Sequence, residues 1–170
     1  MSTFDTYIGD ASLRNGIPHA LLRAVVMVES RDNPWAMRYE AHYRWLWNIE
    51  TNQPFRGKLS DYPLPPREWR AFGVSRDTEI KAQKTSWGLM QIMGAVGREL
   101  GFDRPFLSEL VDPQVNLEYG ARHLRNMHRR FGGWEEAAVA YNAGSPRRNK
   151  EGKWVNQVYL DRLRSAGWQP

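Results

Sequence analysis

Apolar residues follow one another at three- and four-residue steps through Leu22, Val25 and Val26, and the next position in that series is Glu29. Pro18 suits a first helical position and Asn33-Pro34 marks a stop, which predicts a helix over about 18–31. Trp35, Met37, Tyr39, Ala41, Tyr43, Trp45 and Trp47 share one parity, as in a strand, while Tyr39, Tyr43, Leu46, Trp47 and Glu50 fit helical spacing. The expectation is an extended start and a helix from about residue 41. Pro, Gly and Ser between Gln53 and Pro66 predict a loop, with short helices at 66–72 and 76–83. Met90–Leu100 reads as a helix closed by Gly101, and Asp112-Pro113 as the opening of a longer one to Phe131, stopped by Gly132-Gly133. Further helices are predicted over 134–143 and 155–166. The pattern is that of a mainly α single domain of 170 residues, with long loops between residues 31 and 88.

Composition narrows the class. Eight Trp, seven Tyr and six Phe argue against disorder, and no apolar run reaches the roughly 18 residues that span a bilayer. The absence of Cys excludes disulfides, zinc–thiolate sites and thiol nucleophiles. Met1 to Asp10 carries two Asp and no Lys or Arg, so a secretory signal peptide is not expected. The net charge of +5 is uneven, because residues from 121 onward hold ten basic and four acidic side chains. Such asymmetry suits an anionic partner, whether nucleic acid, a membrane surface or an acidic envelope polymer. His19, His42, His123 and His128 show no metal-ligand spacing and no phosphate-cradling glycine loop is present, so neither a metal nor another cofactor is expected.

Glu29 is the candidate for chemistry. A carboxyl on the inward edge of a helix loses solvation and faces the helix's negative pole, and both effects favour a side chain that keeps its proton. That is what a general acid for glycosidic cleavage requires. The alternative, from this feature alone, is a Glu that turns to solvent or pairs with Arg23 or Arg31.

Four blocks bear on that choice: Val28-Glu29-Ser30; Ser86-Trp87-Gly88-Leu89-Met90-Gln91-Ile92-Met93; Leu110-Val111-Asp112-Pro113 with Asn116 and Gly120; and Ala140-Tyr141-Asn142-Ala143-Gly144. In this order they resemble the soluble lytic transglycosylases. The resemblance implies a lysozyme-like, mainly α fold with a groove for the glycan strands of peptidoglycan. It implies Glu29 as the one catalytic carboxyl, protonating the oxygen between N-acetylmuramic acid and N-acetylglucosamine and then drawing the proton from the muramic C6 hydroxyl. That hydroxyl closes a 1,6-anhydro ring. It also places Ser86, Gly88, Met90, Gln91, Tyr141 and Asn142 at the substrate, Gly88 by permitting close backbone approach. Packing is the alternative for Met90, a backbone partner for Tyr141, and helix capping for Asn142.

The chain departs from the family pattern in the 58 residues between Glu29 and Gly88. This insertion, about 32–85, carries Trp35, Tyr39, Tyr43, Trp45, Trp47 and Trp69 with Glu40, Glu50, Asp61 and Glu68. Its aromatics pack the insertion or floor a sugar groove, and Glu40 is a possible second carboxylate. Val155 stands where some members have a Glu, four positions before Tyr159. The functional expectation is a transglycosylase acting as a monomeric phage or prophage endolysin, held in the host cytoplasm before release to the periplasmic cell wall. One alternative is a muramidase hydrolysing the same bond, with Glu40 or another acid positioning water. Another is a non-catalytic basic module for envelope polymer or nucleic acid, although no recognition-helix motif supports nucleic acid.

Overall fold

A computed structural model describes residues 3–170. The mainly helical class expected from the sequence is observed, with short strands added. The chain divides into two compact units, one formed by the segment ending at Asp32 with Leu117–Pro170, the other by Asn33–Asn116.

The first unit opens with α1 (Asp5–Asn15), for which the sequence pattern gave no expectation, and α2 (His19–Ser30). Later in the chain come α6 (Pro113–Phe131), whose first turn belongs to the other unit, then α7 (Trp134–Ala143) and α8 (Gln157–Ser165), all close to their expected ranges. Helix α2 packs against α1 and α8, and α7 against α8. Leu21, Leu22, Ala24, Val25 and Val26 of α2 are buried, as are Leu160 and Leu163 of α8. The stripe that predicted α2 is therefore its core face.

Helix α2 ends abruptly. Arg31 and Asp32 both adopt left-handed backbone, with φ of 55° and 62°, which L side chains adopt at a cost of order 1–2 kcal/mol. Arg23 offsets that cost: its Nη1 and Nη2 donate to Asp32 Oδ1 and Oδ2 at 2.9 and 2.7 Å, and its Nε lies 3.3 Å from Asp5 Oδ1. The chain reversal immediately after Glu29 is thus tied to the middle of the helix that carries it.

The second unit contains a three-stranded antiparallel sheet in the order β1–β4–β5, with β1 Met37–Tyr39, β4 Thr85–Trp87 and β5 Ile92–Met93. Arg38 pairs with Ser86, and Ser86 with Met93. The extended start predicted near residue 37 is present, but the helix expected from about 41 is not. Backbone groups there are taken by side chains instead: Gln83 Oε1 accepts from Trp47 N–H, and Tyr62 O–H donates to Trp47 O. A two-stranded hairpin follows, β2 (Trp47–Asn48) with β3 (Gln53–Pro54), turned by Asn48 Oδ1 accepting the N–H groups of Glu50 and Thr51. The helix expected from Met90 begins only at Gly94, as α5 (Gly94–Glu99). Residues 88–91 form a turn with positive φ at Gly88 and Gln91, which breaks helical geometry before it can start.

Helices α3 (Arg67–Ala71) and α4 (Arg76–Gln83) match expectation, α4 being opened by a Ser75–Thr78 capping box. The insertion is anchored through α4. Glu79 and Arg98, 1% and 3% exposed, form a two-pronged ion pair with both bonds at 2.8 Å. Arg98 also donates to the carbonyls of Phe102 and Arg104 and lies over the Trp69 ring. Gln83 Nε2 reaches Glu79 Oε1 and the Tyr62 hydroxyl, linking the ion pair to the hairpin. Burial and the Glu79 charge push the Tyr62 phenol well above its ordinary pKa, so it remains a donor. Leu46, Tyr62 and Ile80 form a small core with Tyr43 and Phe55 packed on it.

Candidate active site

Glu29 is the penultimate residue of α2 and is half-buried. Its Oε1 accepts a hydrogen bond from the hydroxyl of Tyr159, in the first turn of α8, at 2.8 Å. Tyr141, in the last turn of α7, lies within the field of the same carboxylate. Burial first, and the Glu29 charge second, raise both phenols well above the ordinary tyrosine range. Both therefore remain neutral hydroxyls at any working pH. His123 packs its ring 5.3 Å from Tyr141, and burial lowers its pKa to about 4, so it is uncharged at neutral pH. Arg23, the suggested partner for Glu29, is held by Asp5 and Asp32.

Three helices thus bring Glu29, Tyr141 and Tyr159 together. Tyr159 was missed as a site residue, since its sequence neighbourhood offered only the contrast with Val155. Asn142 is exposed near the end of α7, and its Oδ1 accepts from Asn156 Nδ2 at 3.2 Å.

The other block forms its own cluster in the second unit. Ser86 Oγ donates to Gln91 Oε1 at 2.9 Å, and Gln91 Nε2 donates to the carbonyls of Ala36 and Gly88, each at 3.0 Å. The Gln91 amide therefore staples the β4–β5 turn to the chain entering β1. Asn116, fully buried, completes the turn by accepting from Met90 N–H and donating to Trp87 O and Leu110 O, all at 2.7 Å.

Two of the residues that the resemblance places at the substrate have close neighbours within the protein. A Cβ at Gly88 would stand 2.4 Å from Asn116 Nδ2 and 2.8 Å from Leu110 O, so the protein itself leaves no room for a side chain there. Met90 is fully buried, so it packs the core and presents no surface to a ligand. Glu40 is ion-paired with Arg38, and its N–H donates to Lys84 O. Among the described residues, no group of three or more His, Asp or Glu is placed to hold a metal, and no helix is long and apolar enough to cross a membrane.

The family model of the transglycosylase SLT domain matches residues 69–159, more than half of the chain. The chain belongs to this family, whose members are peptidoglycan lytic transglycosylases, and it is accordingly a glycan-cleaving enzyme with peptidoglycan as substrate. Comparison with individual curated proteins gives no match. The matched span contains Ser86, Gly88, Gln91, Asn116, Tyr141 and Tyr159 but stops short of Glu29. Glu29 is joined to it by the hydrogen bond from Tyr159 and by its field at Tyr141.

Proposed function

We propose that Glu29 is the single catalytic carboxyl and that the product carries a 1,6-anhydromuramic end. The supporting observation is the 2.8 Å bond from the neutral Tyr159 hydroxyl to Glu29 Oε1, beside the equally neutral Tyr141. A phenol both donates and accepts, so Tyr159 can serve either protonation state of its partner. It gives its hydrogen to the carboxylate and, with the O–H rotated, takes one from the acid. Such a neighbour suits a carboxyl that acts first as acid and then as base.

In this reading Glu29 gives its proton to the bridging oxygen and the muramic C1–O bond breaks, releasing N-acetylglucosamine with a free 4-hydroxyl. The carboxylate then takes the C6 hydroxyl proton as that oxygen bonds to C1. Glu29 ends protonated again and no water is consumed. Paired glycosidase carboxylates divide these tasks between two groups. Asn142 is assigned to sugar contact. Ser86, Gly88 and Gln91 are assigned to holding the β4–β5 turn in shape. Glu40, paired with Arg38, is assigned no catalytic step.

Glu29→Gln tests the assignment, because the amide is nearly isosteric but cannot donate or accept the proton in turn. Cleavage of purified sacculi should fall by about 10²- to 10⁴-fold or more with the circular dichroism spectrum unchanged. Substantial turnover by the folded variant would overturn the assignment. The proposal extends to a bacteriolytic role, a phage or prophage endolysin reaching the wall from the host cytoplasm. The peptidoglycan substrate and the basic net charge support it. Cells expressing the enzyme should lyse once their inner membrane is permeabilised, and cells expressing Glu29→Gln should not.

A further inference from the structure

The second unit holds an open cleft of about 540 Å³, within the size range of small-molecule sites. Pro34 and Trp35 line it together with Arg104, Glu109, Asp112 and Gln114. The Trp35 side chain is unused by the fold, the residue being 72% exposed, yet its backbone is fixed. Trp35 N–H donates to Asn33 Oδ1, and the carbonyl of the next residue, Ala36, accepts from both Gly88 N–H and Gln91 Nε2. The other wall is equally defined. Arg104 Nη1 is bonded to Glu109 Oε2 at 3.1 Å, and Asp112 Oδ1 accepts from Val115 N–H at the start of α6.

We infer that this cleft is a saccharide subsite, taking a neutral N-acetylhexosamine unit of the glycan strand with its ring face on the Trp35 indole. An aromatic side chain with one apolar face and a polar surround suits the C–H face of a pyranose, whose hydroxyl and acetamido groups then meet the polar wall. The charge of the lining selects among the parts of peptidoglycan. Glu109 balances Arg104 and Asp112 adds a negative charge, so a carboxylate-bearing peptide stem is disfavoured and an uncharged sugar is not. An open cleft suits one unit of a polymer that must continue beyond it. The inference rests on the peptidoglycan reading and deepens it, assigning Trp35 to substrate binding and no part of the chemistry.

The test follows the Trp35 indole N–H by NMR in the Glu29→Gln protein, titrated with tri-N-acetylchitotriose, with the signal assigned by its loss in a Trp35→Ala version. That signal should shift saturably. In the active enzyme, Trp35→Ala should raise KM on sacculi by about two- to tenfold, the worth of one aromatic contact, with kcat little changed. Trp45→Ala, equally exposed but outside the cleft, should leave KM unchanged. A Trp35 signal unmoved by millimolar sugar, or an unchanged KM in Trp35→Ala, overturns the subsite even if the enzyme still forms anhydro ends. A saturable shift in an enzyme whose products lack anhydro ends upholds the subsite and overturns the catalytic reading instead.

Discussion

Tyr159 and Glu29 stand 130 positions apart in the chain, and the hydroxyl of one meets the carboxyl of the other at 2.8 Å. On the proposal that Glu29 is the catalytic carboxyl, helix α8 belongs to the catalytic apparatus as much as α2 does. Tyr141 adds a second phenol within the field of the same carboxyl. Tyr159, Tyr141 and His123 are each uncharged at neutral pH.

Tyr159→Phe should lower kcat on sacculi by about ten- to a hundredfold while leaving KM nearly unchanged, since the lost bond is to the carboxyl proposed to react. One hydrogen bond to a charged group contributes about 1.5–3 kcal/mol. Tyr141→Phe, which removes the second phenol in the field of Glu29, should also lower kcat with little change in stability. The pH–rate profile should move in Tyr159→Phe and stay in place in a variant that only loosens packing. Unaltered kinetics in both would return the two tyrosines to a purely structural role.

Asn116→Ala should be strongly destabilising although it touches no proposed reacting group. It strands Met90 N–H, Trp87 O and Leu110 O, and each buried unsatisfied group costs about 1–3 kcal/mol. Gly88→Ala should do likewise, because its Cβ would meet Asn116 and Leu110 O and its φ of 67° disfavours a side chain. Urea denaturation measures both, and midpoints within error of the parent would refute the staple described for the turn.

Glu79→Gln should lose about 3–5 kcal/mol, because it leaves the Arg98 guanidinium buried without its counter-charge. Replacing both partners by apolar residues, Glu79→Leu with Arg98→Met, should recover part of that loss. A double-mutant cycle by denaturation reads the coupling directly. Additive effects would show the pair to be energetically independent.

His123 predicts how stability falls in acid. Its folded pKa, lowered to about 4, lies below the unfolded value near 6.5, so the unfolded chain takes up the proton first. The stability from burying neutral His123 is complete above about pH 6.5 and is lost progressively down to about pH 4. His123→Gln should flatten that part of the stability–pH curve. An identical curve would mean that His123 does not titrate differently in the folded state.

Helices with one apolar stripe were legible in the sequence. Helix α2 from Pro18, α6 from Asp112-Pro113 and α7 to Gly144 follow their periodicity and caps. Segments whose backbone is satisfied by distant side chains were not legible. Nothing near Trp47 announces that Gln83 and Tyr62 will take its N–H and carbonyl, and Gln91 is an unusual residue for a left-handed turn. The site divided along the same line. Glu29 stood out as a carboxyl in an apolar stripe, whereas Tyr159 sits in α8 among ordinary helical spacing. Asn116 appeared within a family block, but its role emerges only from three bonds to backbone distant in sequence.

Mass spectrometry of the muropeptides released from purified sacculi tests the central claim most directly. A single carboxyl acting on the C6 hydroxyl predicts fragments lighter by one water than the corresponding reducing ends. It also predicts the same anhydro products from Glu40→Gln, with at most a modest loss of rate. Reducing ends from the parent enzyme, abolished by Glu40→Gln, would contradict the account and identify a second carboxyl that activates water.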